Sequence, residues 1–130
     1  MDWVRNVIKK DPLTSGASYL PLLVTAWEAG RDAVLRNAPA LIIASAPKEA
    51  MNGMVDLTLA LSYLDLIAPV FGMGTCWAGL LQGALLSSPT LKESLGIPGE
   101  HPHHYPMMIG YHKVKYHRLP ERKPPKVTWR

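Results

Sequence analysis

The sequence predicts an α+β fold, on three observations. Residues 40–46 and 105–111 are short, apolar and in the first case partly β-branched, the pattern of buried strands. Residues 18–35 and 52–71 carry apolar side chains at helical spacing over longer runs. Proline and glycine punctuate the boundaries between these segments. Two strands make a poor sheet alone, so the pattern also predicts that further strands come from a missing segment or from a second chain.

Taken in order, residues 2–10 read as a short helix with Trp3, Val4, Val7 and Ile8 on one side, broken by Asp11-Pro12. Ser15-Gly16-Ala17-Ser18 offers capping groups for a second helix over 18–35, with Leu22, Leu23, Ala26 and Trp27 at helical spacing. Ala38-Pro39 stops it, because a proline disfavours helix in the residue before it. The strand at 40–46 runs into the turn Pro47-Lys48-Glu49. Residues 52–71 form the longest helical stretch, apolar almost all round, which predicts a helix through the middle of the core. Asp65 and Ser62 on it would then need partners. Three glycines within residues 72–79 end that helix in a turn. Residues 80–86 read as another helical turn or two. Ser87-Ser88-Pro89 starts the next helix with Pro89 at its first position, and Gly96 ends it. A loop at 97–102 leads to the strand at 105–111. From His112 the chain is basic and Pro-rich, with a brief extended patch at 127–129. There is no internal repeat.

A chain of 130 residues, 48% hydrophobic and 18% charged, fits one globular domain spanning 1–130 and excludes a disordered tail. The formal net charge is +4, gathered largely after Tyr111 in Lys113, Lys115, Arg118, Arg122, Lys123, Lys126 and Arg130. Such a segment can meet nucleic acid, an anionic membrane or one phosphate group. Nucleic-acid binding usually interleaves aromatics or sets the charge along a helix, and the prolines here forbid a helix. A single phosphate held by Arg and Lys suits the compact charge better. The one cysteine, Cys76, allows no intrachain disulfide, so a reduced cytoplasm is the expected compartment. No apolar signal core opens the chain. The apolar stretch at 57–86 holds Asp65, has Asp56 at its edge and is broken by Pro69, Gly72 and Gly74. A membrane span wants about 20 clean apolar residues, so no membrane association is expected.

Three groups of residues invite a chemical reading. In Gly72-Met73-Gly74-Thr75-Cys76-Trp77-Ala78-Gly79 a helix precedes the glycines and the third glycine is mis-spaced, which argues against a dinucleotide fingerprint. Two readings stay open: a plain helix C-cap, or bare backbone N–H groups facing a flat polar ligand. Gly74-Thr75-Cys76-Trp77 resembles the run around a papain-type nucleophile, but that chemistry needs a histidine and an asparagine ~130–150 residues downstream. A buried structural cysteine is the expected role of Cys76, with a cysteine hydrolase a distant alternative. His101, His103 and His104 lack a cysteine pair or a second acidic cluster, so a solvated loop is expected there in place of zinc.

Taken together, these segments resemble the nitroreductase family from Gly30 onward. Gly30-Arg31-Asp32-Ala33-Val34-Leu35-Arg36-Asn37-Ala38-Pro39 followed by Leu41-Ile42-Ile43 resembles the approach to a core strand of that family. Asp56-Leu57-Thr58-Leu59-Ala60-Leu61 through Gly79 is similar to its long central helix and the flavin-facing turn after it. Ile109-Gly110-Tyr111-His112-Lys113 resembles its last core strand, where Gly-Tyr-Pro is commoner. Arg122-Lys123-Pro124 with Val127-Thr128-Trp129 is similar to its C-terminal signature. The resemblance implies an α+β homodimer with FMN at the subunit interface, a small antiparallel-type sheet packed by the central helix, and a C-terminal extension that reaches over the partner. It implies that FMN is reduced by NAD(P)H and then reduces a nitro, quinone or similar acceptor, without an acid–base side chain. It places Thr75, Cys76, Trp77, Ala78 and Gly79 beside the isoalloxazine, with an N–H of Ala78 or Gly79 toward N5, and Arg122 and Lys123 on the phosphate. The family's opening Arg-x-Ser-x-Arg motif has no counterpart before Gly30, so the resemblance implies a C-terminal portion of that fold. A truncated, non-catalytic dimerisation or interaction module without flavin is the alternative from another class.

Overall fold

The computed structural model describes residues 20–114, 117 and 121–130. The expected helix at 2–10 and the capping residues Ser15 to Ser18 lie outside the described residues.

Helix α1 (Leu20–Glu28) is shorter than the spacing of its apolar residues suggested. It ends at a left-handed Gly30, φ 71°. The N–H of Gly30 donates to the Trp27 carbonyl and that of Arg31 to the Ala26 carbonyl, a Schellman termination that satisfies two orphan carbonyls. The chain then enters an irregular loop organised around one carboxylate. Asp32 accepts from the N–H groups of Val34 (3.0 Å) and Leu35 (2.8 Å) on one oxygen and from Asn37 (3.1 Å) on the other. Burial pushes this carboxyl up, but the N–H groups of Leu35, Asn37, Val34 and Arg36 outweigh it and hold the group below its ordinary range.

The sheet has three strands, β1 (Ala40–Ala46), β2 (Met73–Trp77) and β3 (His103–Tyr111), in the order β1-β3-β2. Both pairings are antiparallel, with Leu41 opposite Met108 and Cys76 opposite Met108. The expected strands at 40–46 and 105–111 are present, the second beginning two residues early. β1 is half-buried along most of its length, not fully buried, because it is an outer strand. β2 falls where the sequence suggested a glycine turn. Gly74 of β2 pairs with Gly110 of β3, and Gly110 is needed there: a Cβ on it would stand 2.7 Å from the Pro39 ring. The patch at 127–129 forms no strand; it is exposed and irregular.

Successive residues of β3 serve opposite faces of the sheet. Met108 joins Ala78, Leu81, Leu85 and Ile97 in a core cluster, with Leu41 and Ile43 of β1 packed against it. Helices α3 (Gly79–Ser87) and α4 (Pro89–Ser94) supply its outer layer. Met107, fully buried, lies outside that cluster. Helix α2 (Gly53–Ile67) packs on β1 and β3. Its start is so close to β3 that a Cβ on Gly53 would meet the His103 ring at 2.6 Å. A 3-10 turn (Ala68–Phe71) with Pro69 comes next and closes on left-handed Gly72. α4 starts as expected: Pro89 takes its first position and the Ser88 hydroxyl accepts from the Leu91 N–H. It ends as expected at Gly96, in a second Schellman turn that buries Ile97.

One expectation about packing is overturned. α2 does not run through the middle of the core. Of its residues only Gly53, Leu57 and Leu61 are buried. Met51, Val55, Leu59, Tyr63, Leu66 and Val70, spaced three or four apart through the helix and its flanking turns, are all exposed. A three-stranded sheet can cover only one side of a helix that is apolar nearly all round. The segment Gly53–Phe71 is also long and apolar enough to cross a membrane by length and composition. Of its two carboxylates, Asp56 and Asp65, the second accepts a hydrogen bond from the Thr75 hydroxyl of β2.

Candidate functional site

The residues singled out in 75–79 run from the end of β2 into the start of α3, and two elements position them. β2 is an outer strand, so alternate backbone groups on it face away from β3. At its end Trp77 packs edge-on against Tyr105 of β3, ring centroids 5.2 Å apart and planes at 72°. The Ala78 N–H donates to the Pro106 carbonyl at 3.1 Å, and its carbonyl accepts from the Gln82 N–H at 2.9 Å. Ala78 is buried and fixes the corner.

Gly79 is then the first residue of α3. The first N–H groups of a helix have no partner within it, and Ala78 at the N-cap offers no side chain to satisfy them. A Cβ built on Gly79 would meet nothing nearer than the Tyr105 hydroxyl, at 3.6 Å. The fold itself does not demand glycine there. An open approach to an uncapped amide, at the positive end of a helix, suits a flat ring with an acceptor atom at its edge that takes on negative charge. The residues present therefore fit a flavin edge.

Of the two amides expected to face N5, that of Ala78 donates to the Pro106 carbonyl. The Thr75 hydroxyl is tied to Asp65. Cys76 is exposed and not buried as expected, since β2 is an outer strand; its thiol reaches only the Trp77 carbonyl, at 3.8 Å. No histidine hydrogen-bonds to it among the described residues. Arg122 and Lys123 lie in the exposed C-terminal segment and make no hydrogen bond or ion pair with a described residue. The chain's own contacts thus do not join them to residues 75–79. Tyr105 and Pro106, which no sequence pattern singled out, frame the corner. Only the pairing of β2 with β3 reveals them.

The histidines also differ from expectation. His103 and His104 belong to β3, not to a solvated loop. His104 is 2% exposed and its Nδ1 lies 3.2 Å from Gln82 Oε1 of α3. Burial, then the nearby Lys92 charge and that of His103, hold its pKa below the ordinary imidazole value. His101 Nδ1 shares a hydrogen bond with the Ser45 hydroxyl at 2.9 Å. Among the described residues no three His, Cys, Asp or Glu side chains stand close enough to hold a metal ion.

An antiparallel three-stranded sheet with helices on both its faces, and an open glycine amide at a strand-to-helix corner, define an α+β protein. The nitroreductase family model matches residues 4–111, and the chain belongs to that family. The match begins well before Gly30, where the resemblance was first legible, and stops short of Arg122 and Lys123. No curated protein and no solved structure gives a significant match.

Proposed function

We propose that the chain is an FMN-dependent oxidoreductase of the nitroreductase type, acting as a cytoplasmic homodimer. The observation that carries this reading is Gly79, whose amide has no hydrogen-bond partner among the described residues at the head of α3 and whose Cα is open to approach. Backbone of Trp77, Ala78 and Gly79 would hold the ring, and Arg122 with Lys123 its phosphate. When bound, FMN supplies the redox chemistry, taking hydride from NAD(P)H and passing electrons to a nitro, quinone or similar acceptor. The protein's part is position and field. The start of α3 offers partial positive charge to an electron-accepting ring. Glycine at 79 keeps side-chain atoms out of the space the ring needs. No side chain is assigned as an acid or base.

The homodimer is supported by the stripe on α2. Six large apolar side chains in helical register are left open to solvent, and contiguous exposed patches of this kind mark interaction sites. A second copy of the same stripe would satisfy it, as isologous interfaces do. The visible spectrum of the purified protein tests the flavin reading: FMN gives a yellow protein with a band near ~450 nm. A folded, dimeric sample that stays colourless with added FMN would instead assign the chain to a non-catalytic dimerisation module.

A further inference from the structure

Between α1, the loop at 31–35 and helices α3 and α4 lies a cavity of about 350 Å³, within the size range of small-molecule pockets. Its wall is almost wholly apolar, with Leu23, Trp27, Leu80, Leu81 and Ala84 among the lining side chains. Arg31 and Asp32 also line it, and their charges are not equivalent. The Asp32 carboxylate is answered by three loop N–H groups. The Arg31 side chain is exposed and makes no hydrogen bond or ion pair with a described residue. Among the described residues the cavity therefore presents a cation without an ion-pair partner beside an indole and a leucine-lined floor.

We propose that this cavity binds a small aromatic carboxylate, its ring against Trp27 and the leucines and its carboxylate on Arg31. The planar guanidinium fork matches a carboxylate. An apolar wall with a single polar anchor is the usual composition of a ligand site, and the half-exposed indole supplies an aromatic surface for a ring. The site is separate from the proposed flavin contacts, although α3 serves both.

Isothermal titration of the full chain with sodium 2-naphthoate and with neutral 2-naphthamide tests it. The carboxylate binds at least about tenfold more tightly than the amide. Arg31→Gln abolishes that preference and leaves the amide's affinity unchanged, whereas Trp27→Ala weakens both ligands. Both positions are exposed, so the variants keep the fold, and circular dichroism verifies it. No saturable heat with naphthoate up to its solubility limit overturns the proposal. So does a preference that survives Arg31→Gln. No flavin enters the measurement, so a negative result leaves the flavin reading where it stands.

Discussion

The backbone N–H of Ala78 and the carbonyl of Pro106, 3.1 Å apart, tie the end of β2 to the middle of the sheet, while the next amide, that of Gly79, has no partner among the described residues. The two consecutive amides therefore have different roles, one structural and one available. Gly79→Ala separates them. The added methyl meets only the Tyr105 hydroxyl at 3.6 Å, so the urea midpoint stays within the range of an ordinary surface substitution, about 0.5 kcal/mol. FMN affinity, followed by quenching of flavin fluorescence, falls by about tenfold or more, equivalent to about 1.4 kcal/mol. Equal affinities for the two proteins would remove Gly79 from the flavin site.

Gly110 presents the opposite case, a glycine that the fold does require. Its position faces the Pro39 ring, where a Cβ would stand 2.7 Å from both Cγ and Cδ. The pyrrolidine ring cannot rotate out of the way. Gly110→Ala is expected to cost about 1–3 kcal/mol, the usual penalty of overpacking. Equilibrium urea unfolding measures it, and an unchanged midpoint would mean that the 31–39 loop shifts freely.

These two glycines show how far the residues alone could be read. β1, β3 and α4 were legible because apolar runs, β-branching and a Ser-Pro start report local preference directly. β2 was not, because Gly72 before it and Gly74 within it lower strand propensity, and its pairing with β3, from Met73 opposite Tyr111 to Trp77 opposite Met107, leaves no local signal. The end of α1 at Gly30 was overrun because Asp32 to Leu35 continue a helical pattern that the left-handed glycine interrupts. For α2 the sequence records that nearly every side is apolar and not what covers each side. At the site, the segment 75–79 was legible as a unit, whereas the contributions of Tyr105 and Pro106 depend on strand register. The exposure of Cys76 comes from the outer position of β2, which no local pattern encodes.

The stripe on α2 gives a prediction independent of flavin. Leu59 lies at its centre and is exposed, so a charge there stays in solvent within one protomer. Leu59→Glu would bury a carboxylate against a second copy, at a cost of several kcal/mol unless it is paired. Sedimentation equilibrium is expected to give a dimer for the parent protein and a monomer for the variant, with the helical circular dichroism retained. A variant that remains dimeric would place the interface elsewhere.

Arg122 is the nearest thing to a sequence-only assignment, since it makes no hydrogen bond or ion pair with a described residue. Arg122→Ala is expected to weaken FMN binding by about 1.5–3 kcal/mol, the range for a hydrogen bond to a charged group. Riboflavin, which lacks the phosphate, should bind both proteins alike. If riboflavin and FMN lose affinity equally, Arg122 acts through the fold and not on a phosphate.

His104 sets the response of the fold to acid. The ring is buried between β3 and α3, and burial, Lys92 and His103 all lower its pKa. The unfolded chain has an ordinary imidazole, near ~6.5. Between the lowered folded value and the unfolded one, the unfolded state binds more protons, so stability rises with pH in that interval. The contribution is complete above the unfolded pKa and is lost as pH falls through the folded one. Urea midpoints measured from pH 7.5 down to pH 5 should therefore decline, and more steeply for the parent protein than for His104→Gln, which keeps an amide toward Gln82. If that variant does not fold, the ring titration of His104 in the parent protein, followed by NMR, carries the same test. Titration at or above the ordinary imidazole value, or a midpoint that climbs on acidification, would mean that His104 is held as the cation, with Gln82 Oε1 accepting from a charged ring.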